Sequence, residues 1–287
     1  MIPEYLREVY PNPVQYISDT PVFVFRDHRW TLPVLHLASE RGLLSLPAVV
    51  VSFDRHRDSL APGASRHLLN RFSSGGSLEE LAELVSRRLS PRDDDWLLSG
   101  MEAGLISDAV RFGTEPDGME RITRYHDGRG VPHQVYHLER LAAELEYKGA
   151  LADSDHPAVS EGLWETLAWD PRTHSVGLRR DGMLLDIDLD FFTMAWGKYT
   201  IPFLEEVYRG EFLSACQSLF SRDYRPVDFF DTLVKSSGAL TIACEPDFCG
   251  GETKARKILE DMNRLLLGRG LITGGIRVDY PPDYPVE

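Results

Sequence analysis

Four short, apolar, largely β-branched runs in this chain break off at acidic or imidazole side chains. VFVFRDH ends in Asp27 and His28, and VVVSFDRHRDS carries Asp54, His56 and Asp58. LLDIDLDFF carries Asp186, Asp188 and Asp190, and LTIACEPDF leads into Glu245 and Asp247. Runs of this kind read as strands buried on both faces, which occur where helices cover a mostly parallel sheet. Parallel strands would bring all four polar ends to one edge, where open α/β sheets bind their ligands.

The intervening segments carry helical patterns. TLPVLHLASERG is expected to be a helix closed by Gly42. SLEELAELVSRRL (77–89) opens with Ser77 and Glu80 at capping-box spacing, and KARKILEDMNRLLL (254–267) has one apolar stripe. Strands are predicted at 21–25, 47–53, 108–112, 132–138 and 238–245, and an Asp181-Gly182 turn suggests a hairpin leading into DIDLD. The Ser- and Gly-rich stretch SLAPGASRHLLNRFSSGGS reads as a long loop with one helical turn. WLLSGMEAGLISDAVRFG (96–113) reads as a tightly packed element around Gly100 and Gly104. Together these predict an α/β protein of three layers (α/β/α) with a mostly parallel sheet. One domain would span 1–287, with its core at about 21–268 and an extended tail at 277–287.

Composition narrows the function. A net charge of −14 lacks the basic face that a nucleic-acid binder needs, and it suits a cationic substrate. Cys216, Cys244 and Cys249 form neither a disulfide framework nor a Cys-x-x-Cys pair, which suits a reducing compartment. With no signal-peptide pattern and no apolar run long enough to span a bilayer, the expected location is the cytoplasm, away from membranes.

Side chains at i, i+2 and i+4 of a strand share a face, so Asp54, His56 and Asp58 could converge, as could Asp186, Asp188 and Asp190. Three clustered aspartates repel one another unless a cation neutralises them. Carboxylates mixed with imidazole suit Mn²⁺, Zn²⁺ or Fe²⁺ better than Ca²⁺, and there are enough of them for two ions sharing a bridging aspartate. Taken singly, each element has an ordinary reading: a polar loop, a solvated edge strand, a surface histidine. The conjunction at four strand ends is what points to a metal site.

The order of strand-Asp-His, Asp-x-His-x-Asp, Asp-x-Asp and a late strand ending in Glu resembles the ureohydrolase superfamily of arginases and agmatinases. FDRHRDS together with LLDIDLDFF looks closest to an arginase-like branch that acts on peptides, converting arginine residues of ribosomally made precursors to ornithine with release of urea. The resemblance runs over about 21–268 and implies an arginase/deacetylase-like fold with two Mn²⁺ ions per chain. It implies one ion on His28, Asp54, Asp58 and Asp188, and the other on His56, Asp54, Asp188 and Asp190. Asp186 stands where the superfamily has serine; an alternative register makes Asp186 and Asp188 the ligands. Glu245 matches the glutamate that receives the guanidinium, with Asp247 beside it. The leaving amine would take its proton from His67 or from a water held by Asp58. Two departures stand out: FRDH lacks a preceding Gly-Gly, and DIDLDFF lacks a following Asp-Pro. The implied partner is an arginine-containing precursor peptide. The rival readings are a small-molecule ureohydrolase acting on arginine or agmatine, another dinuclear amidine or amide hydrolase, and a non-catalytic arginase-fold peptide binder.

Overall fold

The computed structural model describes residues 15–62, 66–73, 75–90, 94–113, 122–138, 169–170, 175–177, 179–196, 199–207, 212–213 and 225–271. The expected tail at 277–287 lies outside them. In chain order the strands begin with β1 (Gln15–Ile17), β2 (Thr20–Phe25), β3 (Ala48–Phe53), β4 (Ile106–Phe112), β5 (Ile122–His126) and β6 (Pro132–Leu138). They continue with β7 (Trp169–Asp170), β8 (Ser175–Val176), β9 (Met183–Asp188), β10 (Thr193–Trp196), β11 (Tyr199–Pro202) and β12 (Ala239–Ala243). Eight of them form one sheet in the order β1-β2-β12-β9-β3-β4-β6-β5. Neighbours from β2 through β6 run parallel, and β1 and β5 close the two edges antiparallel. The expected mostly parallel α/β sheet is present.

Every residue of β9 and β12 is buried, as strands in the middle of a covered sheet must be. Alternate side chains pack in opposite directions. Phe53, Leu185 and Ile242 meet Phe230 and Ile258 from the helices Pro226–Ser236 and Glu252–Leu265 on one face. Val50, Leu184 and Ala243 meet Leu35, Leu81 and Leu97 on the other. These come from α1 (Thr31–Glu40), α3 (Leu78–Arg88) and α4 (Trp96–Glu102). Helices therefore cover both faces.

Local signals account for several element ends. Gly42, at φ +69, turns the chain out of α1 so that Leu43 N–H donates to Ala38 O at 2.9 Å. The capping box is formed in both directions, Glu80 N to Ser77 Oγ at 3.2 Å and Ser77 N to Glu80 Oε2 at 2.9 Å. A Cβ on Gly100 would lie 2.4 Å from Ile106 Cδ1, so this segment is as tightly packed as expected.

Two expectations are corrected. Asp181-Gly182 closes no hairpin, because β9 has parallel partners on both sides and β8 pairs with β7. Arg180–Gly182 forms a 3₁₀ turn instead, pinned where Ser45 Oγ donates to Asp181 Oδ2 at 2.7 Å. A run that is apolar on both faces gains more burial in the sheet centre than in a two-stranded ribbon. Within the expected loop lies a full helix, α2 (Arg66–Phe72), whose Leu69 and Phe72 at i, i+3 dock into the core. No helix among the described residues is long and apolar enough to cross a membrane.

Gly238 immediately precedes β12, with its N–H donating to Met183 O at 2.9 Å, and a Cβ there would fall 2.3 Å from the carbonyl oxygen of Leu43. Gly238→Ala is expected to destabilise the protein by about 1–3 kcal/mol through overpacking against backbone. Urea denaturation checks this, and an unchanged midpoint would mean that the Leu43 segment yields freely.

Candidate metal centre

β2, β12, β9 and β3 are consecutive in the sheet and parallel, so their carboxyl ends open side by side. β2 leads into a 3₁₀ turn beginning at His28, and β12 into Glu245. β9 ends at Asp188 and enters a second 3₁₀ turn that contains Asp190. β3 stops at Phe53, which stacks on Phe112 at 4.9 Å and lies 5.0 Å from the Phe230 ring, so the backbone at Asp54 starts from a rigid base.

The four ends converge on one spot. His28 Nδ1 lies 3.3 Å from Asp54 Oδ2, 3.1 Å from Asp58 Oδ2 and 3.2 Å from Asp188 Oδ2. His56 Nδ1 lies 2.7 Å from Asp190 Oδ2. His28, Asp54 and Asp188 form one group able to hold a metal ion, and Asp54, His56 and Asp190 form another, with Asp54 common to both. Asp54 Oδ2 is buried and has no hydrogen-bond partner among the described residues, a costly position for a carboxylate oxygen without a cation. Oxygen and imidazole donors in this ratio fit a divalent ion such as Mn²⁺, Zn²⁺ or Fe²⁺.

Convergence does not come from strand alternation at Asp54, His56 and Asp58, because all three follow the end of β3. Turns bring them together. His56 N–H donates to Asp54 Oδ1 at 2.6 Å, and Asp190 N–H donates to Asp188 Oδ1 at 3.0 Å. The same device, an aspartate accepting from the backbone two residues on, thus appears twice. In each case Oδ1 is engaged by the backbone while Oδ2 faces the cluster. Asp58 takes a left-handed backbone at φ +49, and its carboxylate accepts from Trp96 Nε1 at 2.5 Å.

In the sequence Trp96 is legible only as part of a packed element, since an isolated tryptophan carries no metal signal. Its ring also lies against His28, with centroids 4.6 Å apart. Arg111, buried beside Asp54, is likewise legible in the sequence only as part of a strand. Asp186 faces His28 Nε2 at 2.7 Å rather than the Nδ1 side. Glu245, buried and left-handed at φ +40, accepts the His28 backbone N–H on Oε1 at 2.8 Å. Asp247 is exposed and pairs with Arg26 at 3.1 Å, and His67 is exposed in the first turn of α2; neither belongs to the two groups. Set against models of known protein families and against curated proteins, the chain matches none.

Protons balance part of the buried negative charge. Burial disfavours the charged form of His28, yet Asp186, Asp188 and Asp54 around it push its pKa well above the ordinary value. His56, opposed by burial in the same way, is raised to about 9, chiefly by Asp190. Burial and a like-charged neighbour push Asp58 and Asp188 well above the usual carboxylate range; the neighbour is Asp54 for Asp58 and Asp190 for Asp188. Asp54 is held below that range despite its burial, chiefly by His28.

Groups whose pKa is raised by folding stabilise the folded chain fully below their unfolded pKa and lose that contribution as pH climbs. For His56 the window runs from 6.5 to about 9. A cation that takes over from these protons should therefore stabilise more as pH rises. The rise in unfolding temperature on adding Mn²⁺ is expected to be larger at about pH 8.5 than at about pH 6.5. Thermal denaturation with and without the metal checks it, and an equal or smaller rise at the higher pH would contradict the proton balance described.

Proposed function

We propose that this chain is a dinuclear manganese hydrolase acting on linear amidines, a peptide arginase that cleaves the guanidinium of arginine residues in a ribosomally made precursor peptide. Ornithine and urea are the products. The observation that carries the reading is the pair of histidine–carboxylate groups sharing Asp54 at the ends of parallel strands of one sheet. The motif order of the arginase resemblance leads to the same residues.

In this proposal His28, Asp54, Asp58 and Asp188 hold one ion, and His56, Asp54, Asp188 and Asp190 hold the other. When bound, the ions supply Lewis acidity and a water that is nucleophilic near neutral pH. Glu245 receives the guanidinium, a planar cation suited to a carboxylate, and its fixed backbone aims the side chain beside His28. Addition of water to the guanidinium carbon and loss of the C–N bond to the side chain leave an amine that needs a proton. His67 or a water held by Asp58 provides it. His56, whose side chain is 39% exposed, marks the open side from which a peptide side chain could enter. The acidic chain as a whole, with Asp247 exposed nearby in sequence, favours the approach of a cation.

Purified protein is expected to bind about two Mn²⁺ per chain. With an arginine-containing precursor peptide it should produce a mass loss equal to cyanamide for each arginine converted. Asp54→Ala should abolish both metal binding and turnover, whereas Glu245→Gln should keep the metal and lose most of the turnover. Metal analysis with peptide mass spectrometry reads all three. Turnover of free arginine or agmatine but not of peptides would move the assignment to a small-molecule ureohydrolase, and a folded protein that takes up no metal would end it.

A further inference from the structure

We infer that the two metal positions are unequal, with Asp186 acting as a positioning residue that makes the His28 position fill first and leaves the His56 position exchangeable. This rests on the metal-centre reading above.

Asp186 lies fully buried in β9, the strand flanked by β12 and β3. A carboxylate there is tolerated only if its oxygens are well supplied with donors. Both flanking strands supply one in register: Ser52 of β3 and Thr241 of β12 each pair with Asp186 across the sheet. Ser52 Oγ donates to Oδ2 at 2.7 Å and Thr241 Oγ1 to Oδ1 at 2.7 Å, while Thr31 Oγ1 at the start of α1 donates to Oδ1 at 3.4 Å. The remaining place on Oδ2 goes to His28 Nε2 at 2.7 Å.

With both oxygens engaged, Asp186 is a poor ligand and a good orienter. An Nε2–H directed at a carboxylate leaves the Nδ1 lone pair facing Asp54, Asp58 and Asp188, and such a partner strengthens imidazole as a donor. The other contacts of His28 fix it further: the Trp96 ring on its face and Glu245 on its backbone N–H. Trp96 holds Asp58 as well, so little rearrangement is needed when an ion arrives.

His56 is held more loosely. Its side chain is 39% exposed, its backbone N–H is tied to Asp54, and its ring meets the half-buried Phe248 edge-on at 5.1 Å. Its carboxylate contact, Asp190 Oδ2 at 2.7 Å from Nδ1, belongs to the metal group itself, so among the described residues no carboxylate outside that group buttresses its ring in the way Asp186 buttresses His28. An ion held there loses less on leaving and has a shorter way to solvent.

Mn²⁺ titration of the wild-type chain by calorimetry with chelator competition tests this. Two affinity classes separated by about tenfold or more are expected, and two equal classes would overturn the inference while leaving the metal centre intact. Asp186→Asn should weaken the tight class by about 10–100-fold and leave the weak class in place. His56→Ala should delete the weak class and spare the tight one, which keeps the inference open to refutation if Asp186→Asn does not fold. Loss of the tight class in His56→Ala would overturn it. At one equivalent of Mn²⁺ the electron paramagnetic resonance spectrum should show an isolated ion, whereas a spin-coupled pair at that loading would contradict sequential filling. Wild-type protein that binds no Mn²⁺ would refute the metal centre itself.

Discussion

Five aspartates, none more than 5% exposed, stand together at the carboxyl edge of one sheet, and the rest of this structure has to accommodate them. Buried carboxylates are tolerated only when hydrogen bonds, counter-charges or protons offset the loss of water. The protein satisfies Asp186 completely with hydroxyls and an imidazole N–H. It treats Asp54, Asp58, Asp188 and Asp190 differently: each gets a partial set of donors and a histidine nearby, and their Oδ2 atoms crowd together. One carboxylate is finished by the protein, and the other four keep oxygens able to hold a cation.

The sheet order makes that arrangement possible. His28 and Asp54 follow strands early in the chain, yet β12 and β9, from the second half, insert between those strands. The hydrogen bond from His28 to Asp186 spans 158 residues of sequence, and that from His28 N–H to Glu245 spans 217. The cluster therefore comes together only with the whole sheet, and packing errors far from the candidate ligands, such as just before β12, reach the site through strand register. The aromatic stack under Phe53 holds the start of the ligand loop in the same way.

Much of this was legible in the sequence. Continuous apolar runs ending in acids announced buried parallel strands, and the capping box, Gly42 and the amphipathic stripe of Glu252–Leu265 marked helix ends and faces that the structure contains. Strand alternation, by contrast, does not set Asp54, His56 and Asp58, because β3 ends at Phe53, before the first of them. The Asp181-Gly182 signal marked a turn correctly but could not say which strands would pair. α2 stayed hidden because its short apolar pattern, Leu69 and Phe72, is flanked by Ser and Gly on both sides.

By itself the sequence determined which residues could do chemistry and the kind of sheet that would collect them, because side-chain type, hydrophobic period and strand-end position are local properties. Only the tertiary structure decided how they divide the work. That Asp186 orients while Asp188 faces the cluster, that Trp96 holds Asp58, and that His28 is enclosed while His56 reaches solvent all depend on neighbours distant in sequence. A side chain's role in a buried polar cluster follows from which donors reach each of its oxygens, and those donors come from strands whose order no local pattern records.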